Sequence, residues 1–156
     1  MTSKQMTITF QEADEVQFEI TGSETVTIDW GDGSPCETHT LSSESKSTQS
    51  CWHLYPDKSN YTVTVTGGNI TEFRCSEEKL VNLDVSRNTA LTDLDINDCK
   101  IRSLDLSKNT AMEYLLCSAN CLTDIDVRKC TALKILSCVE NQLTFLDVSK
   151  NIALEA

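Results

Sequence analysis

Residues 112–132 read Met112-Glu-Tyr-Leu115-Leu-Cys117-Ser-Ala-Asn120-Cys-Leu122-Thr-Asp-Ile125-Asp-Val127-Arg-Lys-Cys130-Thr-Ala132. The stretch decides the fold because it recurs. Its first arm returns as Leu133-x-x-Leu136-x-Cys138-x-x-Asn141-x-Leu143. The same arm precedes it as Leu91-x-x-Leu94-x-Ile96-x-x-Cys99-x-Ile101, and a degenerate copy reads Ile70-x-x-Phe73-x-Cys75-x-x-Glu78-x-Leu80. Its second arm recurs as Leu83-Asp-Val-Ser-Arg-Asn88, Leu104-Asp-Leu-Ser-Lys-Asn109, Ile125-Asp-Val-Arg-Lys-Cys130 and Leu146-Asp-Val-Ser-Lys-Asn151. The starts are 21 residues apart without a slip.

A strict period of this length implies stacked coils, each unable to bury its apolar face alone. The pattern predicts an extended segment on each of two opposite sides of a coil. Neighbouring coils would stand about 4.8 Å apart and share a parallel ladder. Leu94, Leu115 and Leu136, with Phe73 at the start, make one interior stripe; Val85, Leu106, Val127 and Val148 make another. Asn88, Asn109 and Asn151 fill one corner column, and Asn120 and Asn141 the other. An amide at a tight bend can bond backbone groups that the bend leaves unpaired, so the asparagines read as a structural ladder and not as binding residues.

Before the coils the pattern changes. Thr7–Phe10, Val16–Ile20, Val26–Trp30 and Tyr61–Val65 alternate apolar with polar, as strands with one buried face do. Gly31-Asp-Gly33 and Thr66-Gly-Gly-Asn69 signal turns, the second where strands hand over to coils. Residues 34–50 are rich in Ser and Thr and read as a long loop. The predicted fold class is mainly β: a leucine-rich-repeat solenoid of about four coils over 69–156, capped by a small β-sandwich-like domain over 1–68. Trp30 and Trp52 are expected to anchor core and loop.

The chain has 156 residues, with 13 Lys+Arg against 24 Asp+Glu and a net charge of −11. Such a surface repels polyphosphates and acidic lipids, which argues against nucleic-acid partners and anionic-membrane binding. No run approaches the roughly 20 apolar residues of a membrane span, so no membrane insertion is expected. The opening Met1–Met6 lacks the apolar run of a secretory signal, as in an intracellular protein, a mature form or an excised piece.

The eight cysteines invite a metal site, but no C-x-x-C pair exists and the repeat register scatters them. No metal and no cofactor are expected. Cys75, Cys117 and Cys138 share a column with Ile96, as small core residues would, and Cys99 and Cys130 stand in the Asn columns. Cys121 has no assigned role. Asp84, Asp105, Asp126 and Asp147 form a carboxylate column offset by Arg87, Lys108, Lys129 and Lys150. The only histidines are His39 and His53, and no hydrolase, zinc-protease or phosphate-loop motif is present. A catalytic reading would need a polar pocket between cap and first coil, near His53, Asp29 and Asp32.

One face is less bland. Asp93 and Asp95, then Tyr114 and Leu116, then Ile135 and Val139 point outward in successive coils. They predict a contiguous apolar patch with an acidic rim, the composition of an interaction surface. The last coil, entered again at Ile152, is followed by no polar capping segment, as expected where a longer chain continues or where that end forms a homodimer.

The coil L-x-x-L-x-C-S-x-N-x-L-T-x-L-D-V-S-x-N-T-A resembles the cysteine-containing repeats of internalin-like bacterial surface proteins, and leucine-rich-repeat proteins of gut anaerobes, over about 69–156. Ile28-Asp-Trp-Gly-Asp-Gly-Ser34, His53-Leu-Tyr55 and Tyr61-Thr-Val-Thr-Val65 resemble the signature of PKD-like domains. The resemblance implies a non-enzymatic adhesion or recognition module, outside the cell or in its envelope, with a protein or glycan partner. The alternative is a structural spacer or self-assembly module. That setting, with the flanking of the polar loop by Cys36 and Cys51, suggests a Cys36–Cys51 disulfide. Cys117 and Cys138 read as a ladder of reduced thiols.

Overall fold

The computed structural model describes residues 4–42 and 47–155. All its regular elements are strands: β1 (Gln5–Asp29), β2 (Glu37–Leu41), β3 (Gln49–Arg74), β4 (Leu80–Asp84), β5 (Asp93–Asp95), β6 (Tyr114–Leu116) and β7 (Ile135–Ser137). They form one mixed sheet in the order β2-β1-β3-β5-β6-β7, with β4 on β1.

β1 and β3 hold 25 and 26 residues. Straight strands of that length would reach about 80 Å, so both must bend. Left-handed residues mark the bends: Glu12 and Glu24 in β1, Gly67 and Gly68 in β3. Register shifts accompany them. Different stretches of one strand therefore lie in different rows. Residues 64–66 of β3 run between two parts of β1, with Val65 opposite both Met6 and Ile28. Glu19 and Ile20 of β1 lie between two parts of β3, with Glu19 opposite both Ser50 and Arg74. The inward side chains meet in one core, where Phe18 stands 5.8 Å from the rings of both Trp30 and Phe73. Gly22 permits the closest crossing: a Cβ there would sit 2.3 Å from the carbonyl oxygen of Asn69.

One expectation changes here. The Ser/Thr-rich stretch 34–50 is not all loop, because β2 pairs antiparallel with β1 from Glu24↔Leu41 to Ile28↔Glu37. Only Leu41 of that strand is buried, so it carries no apolar alternation to read. Residues 43–46 of the stretch lie outside the described residues. Strands and coils are joined without a gap near residue 68. β3 runs through that position, and β4 of the first 21-residue unit pairs with residues 7–10 of β1.

From Arg74 onward the register is exact. Phe73, Leu94, Leu115 and Leu136 pair in parallel, as do Arg74, Asp95, Leu116 and Ser137. Only one side of each later unit is a strand, which corrects the expectation of two extended arms. The arm L-D-V-S-x-N folds as a turn, in which Asn88, Asn109 and Asn151 donate their amide N–H to the carbonyls of Val85, Leu106 and Val148. The preceding carboxylate caps it: Asp84, Asp105, Asp126 and Asp147 accept from the amides of Ser86, Ser107, Arg128 and Ser149 at 2.9–3.0 Å. A short polar side chain that bonds its own backbone two residues on favours a turn over an extended strand.

Candidate recognition face

The ladder brings the outward residues of the 21-residue units together. Asp93 lies beside Tyr114 and Tyr114 beside Ile135; Asp95 lies beside Leu116 and Leu116 beside Ser137. Alternate side chains of a strand share a face, so these six form two adjacent rows. Arg74, Asp93, Asp95, Tyr114 and Leu116 line a shallow groove of about 290 Å³ over Leu94. Ile135 and Val139 are exposed, Val139 by 66%. Tyr114 is held from one side, where the Lys134 ammonium stands 5.8 Å from its ring centre and 2.5 Å from Glu113. That hydrogen bond raises the Lys134 pKa, so the cation persists at neutral pH.

The same sheet carries the face further than the repeat pattern indicates. Arg74 pairs with Glu19, in the row where Gln17 pairs with Trp52 and Glu15 with Leu54. Trp52 is 56% and Leu54 61% exposed, so Trp52 is not an anchor. Trp30 is the buried one, donating its indole N–H to Glu37 at 3.0 Å. Sequence reasoning missed both outward residues because alternation in Cys51-Trp-His-Leu-Tyr55 places His53 and not Trp52 with the buried set. The available signal was parity: Cys51 and Tyr55 are the inward pair.

The two asparagine columns bond the backbone one unit back. Asn120 Nδ2 donates to the carbonyls of Ile96, Cys117 and Ser118 at 2.7, 3.1 and 3.1 Å, while its Oδ1 accepts from the Ile101 amide at 3.0 Å. Asn141 repeats this with Cys117 and with the Leu122 amide. In the other column Asn109 reaches Val85 and Asn88, and Asn151 reaches Val127 and Cys130. Asn88, Asn109 and Asn151 each keep a buried Oδ1 without a hydrogen-bond partner.

The residues of the catalytic alternative close on themselves. Asp29 and Asp32 accept from the amides of Gly31 and Ser34, each at 2.9 Å. His53 Nε2 meets Asp32, and the Tyr55 hydroxyl donates to the Trp30 carbonyl at 3.0 Å. The clefts where the coils meet the first strands are lined instead by Gln17, Glu19, Arg74, Cys75 and Asp95, and by Gln11, Glu12, Glu78, Lys79 and Lys100. The anticipated site therefore does not coincide with His53, Asp29 and Asp32.

Among the described residues, no group of three or more His, Cys, Asp or Glu is placed to hold a metal. No helix there is long and apolar enough to cross a membrane. Cys36 is exposed and Cys51 buried, and both are free thiols, so the anticipated bridge is not formed in this structure. Burial, helped by the charge of Glu37, pushes the Cys51 thiol up to about 12. Burial does the same to Cys117, which shares its column with Cys138.

No known family profile matches the chain, and no curated protein matches it. Among solved structures it is similar to the functional domain of InlJ from Listeria monocytogenes, which includes a cysteine ladder. The likeness has a TM-score of 0.53 and 38% identity, covering 54% of this chain and 19% of that one. It supports an internalin-like leucine-rich repeat. The chain spans about one-fifth of the length of that structure.

Proposed function

We propose that this chain is a non-enzymatic recognition module of a bacterial surface, binding a protein or glycan partner. In this reading residues 69–156 are a leucine-rich solenoid, and residues 1–68 are a PKD-like β domain that caps its first coil. The observation that carries the proposal is the in-register face of Asp93, Asp95, Tyr114, Leu116 and Ile135, with Val139 at its edge. Exposed apolar side chains on a rigid ladder, bordered by carboxylates, suit a partner with apolar and basic groups. The likeness to the functional domain of InlJ supports the surface setting. The −11 charge weighs against nucleic acid. The polar residues around His53 and Asp32 are engaged with their own turns, which leaves an enzyme without a site there.

The test is binding of labelled protein to host cells and to purified surface proteins and glycans, repeated with Tyr114→Lys combined with Ile135→Lys. We expect affinity to fall about ten-fold or more with folding unchanged. Unchanged affinity of the double variant for a partner that the parent binds would place recognition elsewhere. A self-assembling spacer is the second reading, favoured by the exposed Phe145, Val148 and Ile152 beyond β7.

A further inference from the structure

One file of paired residues crosses the outward face of the sheet from the first strands to the last: Ser50, Glu19, Arg74, Asp95, Leu116 and Ser137. Trp52 and Leu54 stand exposed on the row of Ser50. Tyr114, Leu116 and Ile135 lie at the other end. Between these apolar ends the face is acidic. Glu15 and Glu19 come from β1, Glu72 from β3, and Asp93 and Asp95 from β5. The cation among them, Arg74, is held by Glu72 at 3.3 Å. Among the described residues, none of Glu15, Glu19, Asp93 and Asp95 has an ion-pair partner. Asp93 and Asp95 accept from neutral donors, the Thr92 hydroxyl and the Asn97 amide. The two grooves over this band, of about 300 and 290 Å³, meet at Arg74 and Asp95. Four strand steps separate the rows of Ser50 and Leu116, about 19 Å at about 4.8 Å each. An extended chain rises about 3.3 Å per residue and covers that span in about six residues, with alternate side chains on one side.

We propose that this face binds an extended cationic segment of a partner protein across the strands. One apolar anchor of the segment packs on Trp52 and Leu54, another on Tyr114 and Leu116, and Lys or Arg between them lies over the carboxylates. The proposal rests on the recognition reading above and gives the partner its class. Charge complementarity chooses the occupant. A second copy presenting the same face would bring carboxylates against carboxylates and be repelled. A neutral glycan could stack on Trp52, but it would cover the carboxylates without neutralising them, which is costly. A cationic segment removes that cost and is steered to the face by its charge, while the two anchors supply the apolar contact that slows its release.

The probe is the synthetic peptide Gly-Trp-Ser-Lys-Ser-Lys-Ser-Trp-Gly, blocked at both ends, whose Trp and Lys side chains share one side when extended. Calorimetric titration into the full chain should show saturable binding that weakens as salt rises. Replacing both Lys of the peptide with Glu should weaken it about ten-fold or more. Trp52→Ser combined with Leu54→Ser should do the same, and so should Glu19→Gln combined with Asp95→Asn. Trp52 and Leu54 are exposed, and the amides keep the shape of the carboxylates, so both variants should retain the fold. Binding lost in Tyr114→Lys with Ile135→Lys, but unchanged in both of these variants, would overturn the proposal and leave the recognition face standing. Binding that needs Trp52 and Leu54 but not Tyr114 and Ile135 would count against both readings. Failure of the peptide to bind, equal binding of its Glu form, or a neutral glycan held through Trp52 independently of Glu19 and Asp95 would each overturn it as well.

Discussion

His53 Nε2 lies 2.8 Å from Oδ2 of Asp32, and its ring stacks on Trp30 at 4.7 Å between centres. The contact fastens the Gly-Asp-Gly turn to β3, with Tyr55 edge-on to His53 and stacked on Tyr61. It makes Asp32 a structural carboxylate. Hydrogen bonds from Ser34 first, and then from His53, hold its pKa down to about 2 from 3.8. A carboxyl depressed in the folded state stabilises fully above its unfolded value and loses that contribution as pH falls through its folded value. Melting curves should therefore show stability declining from about pH 4 to about pH 2. Asp32→Asn should cost about 1–3 kcal/mol at neutral pH and flatten that decline. An unchanged acid profile in Asp32→Asn would remove Asp32 from this role.

The asparagine columns make unequal demands. Asn120 donates to three carbonyls and accepts from the Ile101 amide, all beneath the surface. Asn120→Ala would strand several buried groups and should cost about 3 kcal/mol or more in chemical denaturation, since each unmet group costs about 1–3 kcal/mol. Asn88 begins its column and has no unit behind it to bond, so Asn88→Ala should cost clearly less. Equal losses at the two positions would mean that volume, and not hydrogen bonding, sets the requirement.

The difference between these columns was legible in the sequence only as far as the period reached. Identical spacing aligns Leu94, Leu115 and Leu136, and the amide at 120 or 141 falls at each corner because a coil must close there. The hidden part is what the period does not govern. β1 and β3 bend at Glu12, Glu24, Gly67 and Gly68, so one strand serves two rows, and no local alternation reports where a strand changes neighbours. β2 escaped notice because an edge strand with one buried residue carries almost no hydrophobic signal. Trp52 and Leu54 joined the candidate face for the same reason. Their row meets Tyr114 and Leu116 through Glu19 and Arg74, contacts made by pairings distant in sequence.

Thiol chemistry should divide the cysteines by burial. Cys36 is exposed, whereas burial first and Glu37 second push Cys51 up to about 12, leaving almost no thiolate at neutral pH. Iodoacetamide should label Cys36 in the native protein at least about a hundred-fold faster than Cys51, which should react only after denaturation. Peptide mapping after timed alkylation measures both. A Cys36 that stays unlabelled until a reductant is added would instead indicate the Cys36–Cys51 bridge.

The far end of the ladder carries a different liability. β7 pairs with β6 alone, so its other edge has no strand beside it among the described residues. Around it Phe145 is 73% and Ile152 92% exposed, with Leu136 and Leu143 only partly covered. An open edge flanked by apolar side chains is a template for association, and a second copy of the chain could cover it. Sedimentation should show a weight-average mass that rises with concentration. Phe145→Lys combined with Ile152→Lys should weaken that association about ten-fold or more by placing like charges in the contact. Because both side chains are largely in water already, the melting free energy should move by less than about 0.5 kcal/mol for each. A parent that stays monomeric at high concentration would argue against association through this end, and association unchanged in the double variant would assign it to another surface, the row of Trp52 and Leu54 being the next exposed apolar one.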